Sequence, residues 1–119
     1  MAEQRGVISI APDVLATVAA YAALAVPGVV SMSGRPARHM GRIRGRAAVS
    51  DGVAVEVAEG SAKIDLFLVY DRSVNMLETS RRVQSEVARA IQETVGMAVT
   101  EINVHVADVF MAVTDDDAH

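Results

Sequence analysis

From Val53 to Tyr70 the side chains change character at every second residue. Val53, Val55 and Val57 alternate with Ala54, Glu56 and Ala58. After Glu59-Gly60-Ser61, Ile64, Leu66, Leu68 and Tyr70 alternate with Lys63, Asp65, Phe67 and Val69. Successive side chains of a strand point to opposite faces, so this period puts one face against a core. Two such runs around a glycine turn predict an antiparallel hairpin. A sheet with one apolar face needs a cover, and residues 74–95 provide one. Leu77, Val83, Val87, Ala90, Ile91 and Val95 form an apolar stripe, while Glu78, Arg82, Glu86 and Arg89 lie opposite. That is an amphipathic helix, closed by Gly96. Residues 100–106 return to period two, with Ile102, Val104 and Val106 facing in and Glu101, Asn103 and His105 facing out.

The first third of the chain follows similar rules less cleanly. Val7, Ile8 and Ile10 predict a short strand over 6–10. Pro12 suits the first turn of a helix, where its missing N–H is no loss, and Asp13 complements the positive end of the helix dipole. This helix is predicted to end near Val26, at Pro27-Gly28. Its residues are apolar nearly all round, and a helix apolar on every face is buried on every face. One face of an outer helix would normally meet water, so the excess points to a partner, either the second helix or another subunit. Tyr21 and Ala23, with Phe67 and Val69 on the outward sheet face, are therefore candidates for a self-association surface. Val29, Val30 and Met32 form a short extended piece, and residues 33–50, rich in Gly and Arg, read as a long loop.

The resulting order is β-α-(loop)-β-β-α-β. It predicts an α+β two-layer sandwich with both helices on one face of a mostly antiparallel sheet, in the element order of the ferredoxin-like arrangement. The 119 residues fit a single domain over 1–110, with an acidic tail at 111–119 that carries Asp115-Asp116-Asp117. The core must be built from small and β-branched side chains, because the chain has 20 Ala and 20 Val but only two Phe, two Tyr and no Trp.

The inventory of chemically active groups is short. There is no cysteine, which excludes disulfides, thiolate metal sites and cysteine nucleophiles. No serine lies in a nucleophile elbow. His39, His105 and His119 share no metal-ligand or triad spacing. Gly41 to Gly45 does not match a phosphate-binding fingerprint. No catalytic, cofactor-binding or metal-binding residue is assigned. The concentrated signal is Arg35, Arg38, Arg42, Arg44 and Arg46 in a stretch without acidic residues, a candidate contact for an anionic partner. The loop has no aromatics for stacking on bases, so nucleic acid is not the favoured occupant. The longest nearly apolar run, 14–26, is too short to span a bilayer as a helix, so no direct membrane insertion is expected. The N-terminus has no leader pattern, and a cytoplasmic location is expected.

Several segments together resemble the alkaline shock protein family of Gram-positive and related bacteria. They are Gly6-Val7-Ile8-Ser9-Ile10 with Val14 and Leu15, Ala19-Ala20, and Val26-Pro27-Gly28-Val29-Val30-Ser31-Met32. Next come Asp65-Leu66-Phe67-Leu68-Val69-Tyr70, then Val83-Gln84, Val87 and Ala90-Ile91. Val95-Gly96-Met97 and Val99 through Val106 complete the set. Asp71 departs from the glycine often found there, and the arginine loop and acidic tail are local to this chain. The resemblance implies a non-enzymatic cytoplasmic protein linked to envelope homeostasis and stress. It further implies self-association into a homo-oligomer and recruitment by a membrane-anchored protein partner. Two rival readings stand beside it: a nucleic-acid-binding module using the arginine loop, and a regulatory domain binding a small effector at a dimer interface, the latter by fold analogy alone.

Overall fold

The computed structural model describes residues 6–34, 46–50 and 52–111. The elements in chain order are α1 (Pro12–Leu24), β1 (Val29–Met32), β2 (Arg46–Ser50), β3 (Val53–Ala58), β4 (Ser61–Asp71), α2 (Met76–Thr94) and β5 (Ala98–Phe110). The architecture is the expected α+β two-layer sandwich, with both helices packed on the sheet.

β4 organises the sheet. Its residues 61–66 pair antiparallel with β3, and its residues 68–70 pair antiparallel with β1. β5 runs parallel to it from Ser61 to Asp71. Because residues 61–70 already pair with β5, β3 and β1 share the opposite edge end to end. The handover occurs at Phe67, whose N–H donates to the Gly52 carbonyl at 2.8 Å and whose carbonyl accepts from Ser33 N–H at 2.7 Å. β2 pairs antiparallel with β3 and extends the sheet outward. Among the described residues three of the four ladders are antiparallel; the parallel one is the longest, and α2 is its crossover.

Two expectations fail here. Residues 6–10 form no strand. The predicted order would have given them a place in the sheet, but both edges of β4 are filled by β3 with β1 and by β5. Val7 and Ile8 are 91% and 92% exposed. Ile10 alone packs on the core. Conversely, the segment expected to be loop to residue 50 contains β2. Its sequence, Arg-Ala-Ala-Val-Ser, has no alternation to announce it; pairing with β3 across the Gly52 turn supplies the structure. The observed order is thus α-β-β-β-β-α-β, not the ferredoxin-like one.

The core lies between the layers. Leu15, Ala16, Ala19 and Ala23 of α1 and Val83, Val87 and Ile91 of α2 meet Val53, Val55, Ile64, Leu66, Leu68 and Tyr70 of the sheet. Burying each large aliphatic side chain contributes about 1.5–3 kcal/mol, while the alanines let α1 approach closely. Tyr70 is fully buried, and its hydroxyl is 2.8 Å from Ser80 Oγ, tying β4 to α2. Burial raises the Tyr70 pKa above its ordinary 10.0, and the Ser80 hydrogen bond offsets part of that rise. α2 begins at Asn75, whose side chain accepts from Glu78 N–H at 2.9 Å, an N-cap. It ends where Gly96, at φ +80°, donates back to the Ile91 and Gln92 carbonyls. Asp71 accepts from the Ser73 N–H and hydroxyl at 2.9 and 2.7 Å. The backbone bond chiefly holds its carboxyl below the usual range. Glu59 and Gly60 both take positive φ, 54° and 77°, between the paired Ala58 and Ser61. That is a two-residue type I′ hairpin turn.

Candidate interaction surface

The helix layer carries the most contiguous candidate surface. α1 buries one stripe and leaves Val14, Tyr21 and Leu24 on the other side, 45%, 81% and 45% exposed. Their spacing of seven and three puts them on one helix face. α1 has no side-chain N-cap, and Thr17 Oγ1 instead donates to the Asp13 carbonyl at 3.0 Å. Beside this stripe, α1 and α2 leave a groove. Its apolar half, about 320 Å³, is lined by Thr17, Val18, Tyr21, Ala22, Ala90 and Thr94. Towards the α1 C-terminus a second hollow of about 310 Å³ adds Arg82, Glu86, Arg89 and Glu93. Arg89 donates to Glu86 Oε1 at 2.7 Å, so charges of both signs border the hollow.

The candidate self-association residues separate clearly. Tyr21 stands out from the surface. Ala23 is fully buried in the core, so a charge placed there acts first on folding. Phe67 is 2% exposed and therefore is not contact surface in the folded chain. It stacks on His105 with ring centroids 4.4 Å apart and planes 10° from parallel. Val69 is half-buried on the same outer face. Part of the apolar surplus of α1 is taken up at Ala23, where the core closes on the helix, and on the outer sheet face the ring of His105 covers Phe67. Among the arginines, Arg35, Arg38, Arg42 and Arg44 lie outside the described residues. Arg46 opens β2, its backbone paired with Val57.

The outer sheet face holds a group that alternation alone did not bring together. His105 Nε2 lies 3.0 Å from Asp65 Oδ1. Asp65 pairs with Asn103 across the parallel ladder, and Phe67 with His105. The contact therefore runs diagonally and ties β4 to β5. The only sequence signal for it is that all three residues occupy outward positions of adjacent strands. Lys63 and Glu101 approach to 3.8 Å on the same face. Among the described residues no three His, Asp or Glu side chains converge as a metal site. No described helix is long and apolar enough to cross a membrane.

The chain has relatives among known proteins. The chain is 28% identical over 104 residues to the uncharacterized protein YqhY of Bacillus subtilis, covering 87% of this chain and 77% of that one. It is 29% identical over 106 residues to the uncharacterized protein YloU of the same organism, covering 87% and 88%. It is 26% identical to the uncharacterized protein Spy1614 of Streptococcus pyogenes, with the same coverage. Among solved structures, a substituted form of the MamM CTD superposes with a TM-score of 0.55 at 17% identity. That match covers 81% of this chain and 93% of the other, and it is a likeness of fold. Residues 1–111 match the model of the alkaline shock protein 23 family, described by a cell envelope-related function, and the chain belongs to that family.

Proposed function

We propose that this protein is a non-enzymatic scaffold of the cell envelope, working in the cytoplasm by self-association and recruited to the membrane by an anchored protein partner. The family's envelope-related description supports the setting. The exposed stripe Val14, Tyr21 and Leu24 beside the α1–α2 groove carries the reading. A tyrosine that is mostly outside the fold contributes little to folding. Placed in a contact it buries a large amphipathic side chain at low entropic cost. The groove then takes apolar side chains of the other copy, and its charged end fixes their orientation.

The test is light scattering on the eluting protein, with absorbance read at 260 and 280 nm. Wild type is expected to elute as an oligomer. Tyr21→Glu is expected to shift it toward smaller species with an unchanged melting temperature. A wild-type monomer at all concentrations refutes self-association, and an oligomer indifferent to Tyr21→Glu refutes this face as the contact. With no Trp and two Tyr, bound nucleic acid would dominate the absorbance, and a high ratio that falls in salt would favour the arginine-loop reading instead.

A further inference from the structure

β4 decides which backbone groups of β5 stay open. Phe67 turns its N–H and C=O toward Gly52 and Ser33, so Leu66 and Leu68 turn theirs the other way, toward β5. In a parallel ladder such groups bond to the residues on either side of the register partner. The register partners of Leu66 and Leu68 are Val104 and Val106. Asn103 and His105 therefore face β4, while Ile102, Val104 and Val106 face outward. A contact from α2 agrees: Gln84 Nε2 reaches round to the outward Ile102 carbonyl at 3.0 Å. Past Val106 the pattern inverts. The register shifts between Leu68 and Val69, where Ala107 is the extra residue. The Phe110 carbonyl accepts from Arg72 N–H, so Asp108 and Phe110 face β4. Among the described residues no strand pairs with the outer edge of β5. That edge offers a short window, Val104 and Val106, bounded by Gln84 at one end and by the bulge at the other.

The window is self-complementary. It holds two outward residues, two apart, each with one donor and one acceptor. The same pair turned end for end satisfies all of them. We infer that Val104 and Val106 of one copy pair antiparallel with Val106 and Val104 of a second copy, about a two-fold axis at His105, so that two sheets become one. This rests on the self-association proposed above and names a contact separate from the Tyr21 face. Each Val104–Val106 pair exchanges both of its N–H to C=O bonds. Neighbouring registers lose bonds. Val104 against Val104 sets Val106 against Ile102, whose carbonyl Gln84 already holds. Val106 against Val106 sets Val104 against Asp108, which faces its own β4.

The flanking side chains suit the same axis. Exposed edges are normally blunted by charge or proline, yet Asn103-Val104-His105-Val106-Ala107 contains no Lys, Arg, Asp, Glu or Pro. α2 starts beside the Arg72–Phe110 contact and so runs opposite to β5. Leu77, 63% exposed, lies two turns before Gln84 on the same face of α2. About 10 Å along the helix is about three residues of β5, which sets Leu77 level with His105. Val106, 38% exposed, is on this side of the sheet with Leu68. The two Leu77 side chains thus meet at the axis above the paired valines. On the other face each His105 leans toward its own Asp65 and Phe67, away from the seam. A standard interface takes about 20–30 residues from each side. The window, Leu77 and their neighbours are fewer, so the pair is reversible and depends on concentration.

The absence of cysteine makes the test direct. Residues opposite each other in a non-hydrogen-bonded antiparallel pair have Cα atoms about 4.5 Å apart, within disulfide reach. Oxidised His105→Cys is therefore expected to run as a covalent homodimer on a non-reducing gel, to the same extent when it also carries Tyr21→Glu. Glu101→Cys is the control: it is exposed on the same strand face but would lie about 26 Å from its counterpart, and is expected to stay uncrosslinked. In a Tyr21→Glu background, Leu77→Asp is expected to weaken dimerisation by at least about tenfold in sedimentation equilibrium. Its melting temperature at low concentration should not change, since Leu77 is solvated in the single chain. A wild type that self-associates while His105→Cys crosslinks no more than Glu101→Cys overturns the edge pairing and leaves the scaffold reading intact. A dimer indifferent to Leu77→Asp also overturns it. A wild type that is monomeric throughout overturns both.

Discussion

Gly52 and Gly60 share a backbone angle, φ +77°, and differ in what surrounds them. A Cβ on Gly60 would have nothing within 4 Å. A Cβ on Gly52 would lie 2.5 Å from Met32 Cβ and 2.8 Å from the Ser33 carbonyl. Substituting alanine at either site imposes the left-handed penalty of an L-residue, about 1–2 kcal/mol. It also stiffens the unfolded chain by the same amount in both variants. Those contributions cancel in the comparison. The remainder is the collision at Gly52, with a β-carbon and a backbone oxygen that no rotamer change can move. Relief requires the end of β1 to back away from β4, at about 1–3 kcal/mol for overpacking. Weakening the Ser33 N–H bond to the Phe67 carbonyl adds about 1 kcal/mol. Gly52→Ala should therefore be about 2–4 kcal/mol less stable than Gly60→Ala. Urea titrations at one protein concentration measure this from the midpoints with a common slope. Equal midpoints for the two variants would refute the claim that β1 and β3 hand over at a fixed, crowded point.

Two further outcomes are expected. Glu59 occupies the first left-handed position of the type I′ turn, where asparagine is far better tolerated than a long side chain. Glu59→Asn should stabilise the fold by about 0.5–1 kcal/mol in a thermal melt, and a loss of stability would contradict the turn assignment. The Tyr70 phenol titrates above its usual 10.0 in the folded protein. Its contribution to stability is thus complete below pH 10 and declines as pH rises through the folded value. Tyr70→Phe should cost about 0.5–1.5 kcal/mol at neutral pH by removing the Ser80 bond. It should also flatten the decline above pH 10; an unchanged alkaline slope would place the cause elsewhere.

The parts of the fold legible in the sequence are those where local pattern and tertiary use agree. The hairpin of β3 and β4 alternates because one face is buried along nearly its whole length. α2 shows its stripe because only one side meets the sheet. Illegible parts are those decided by a remote partner. Val7, Ile8 and Ile10 have strand chemistry, but a strand also needs an open edge, and β4 has none left. Arg46-Ala47-Ala48-Val49-Ser50 has little strand chemistry yet pairs fully with β3. β5 runs past the limits of its alternation to Phe110 because the eleven-residue β4 beside it offers hydrogen bonds along the way. For the candidate surface, the surplus of apolar residues on α1 was visible. The division into a buried Ala23 and an exposed Tyr21 was not, since it depends on where α2 and the sheet approach. The contact of His105 with Asp65 joins residues forty positions apart, and no spacing rule reaches that far.

The double-sided pairing of β4 also dictates how the molecule opens. Its central amides can reach solvent only if β5 leaves with the α2 crossover, or if β1 and β3 part at Phe67. Either event dismantles most of the sheet. In deuterium exchange the β4 amides from Ile64 to Leu68 should therefore be the last to exchange, at a rate set by global unfolding. Amides at the outer margin of β2 should exchange by local fraying. A chain organised this way loses its margins long before its centre, and partners that grip the margins can come and go without loosening the strand that holds the fold together.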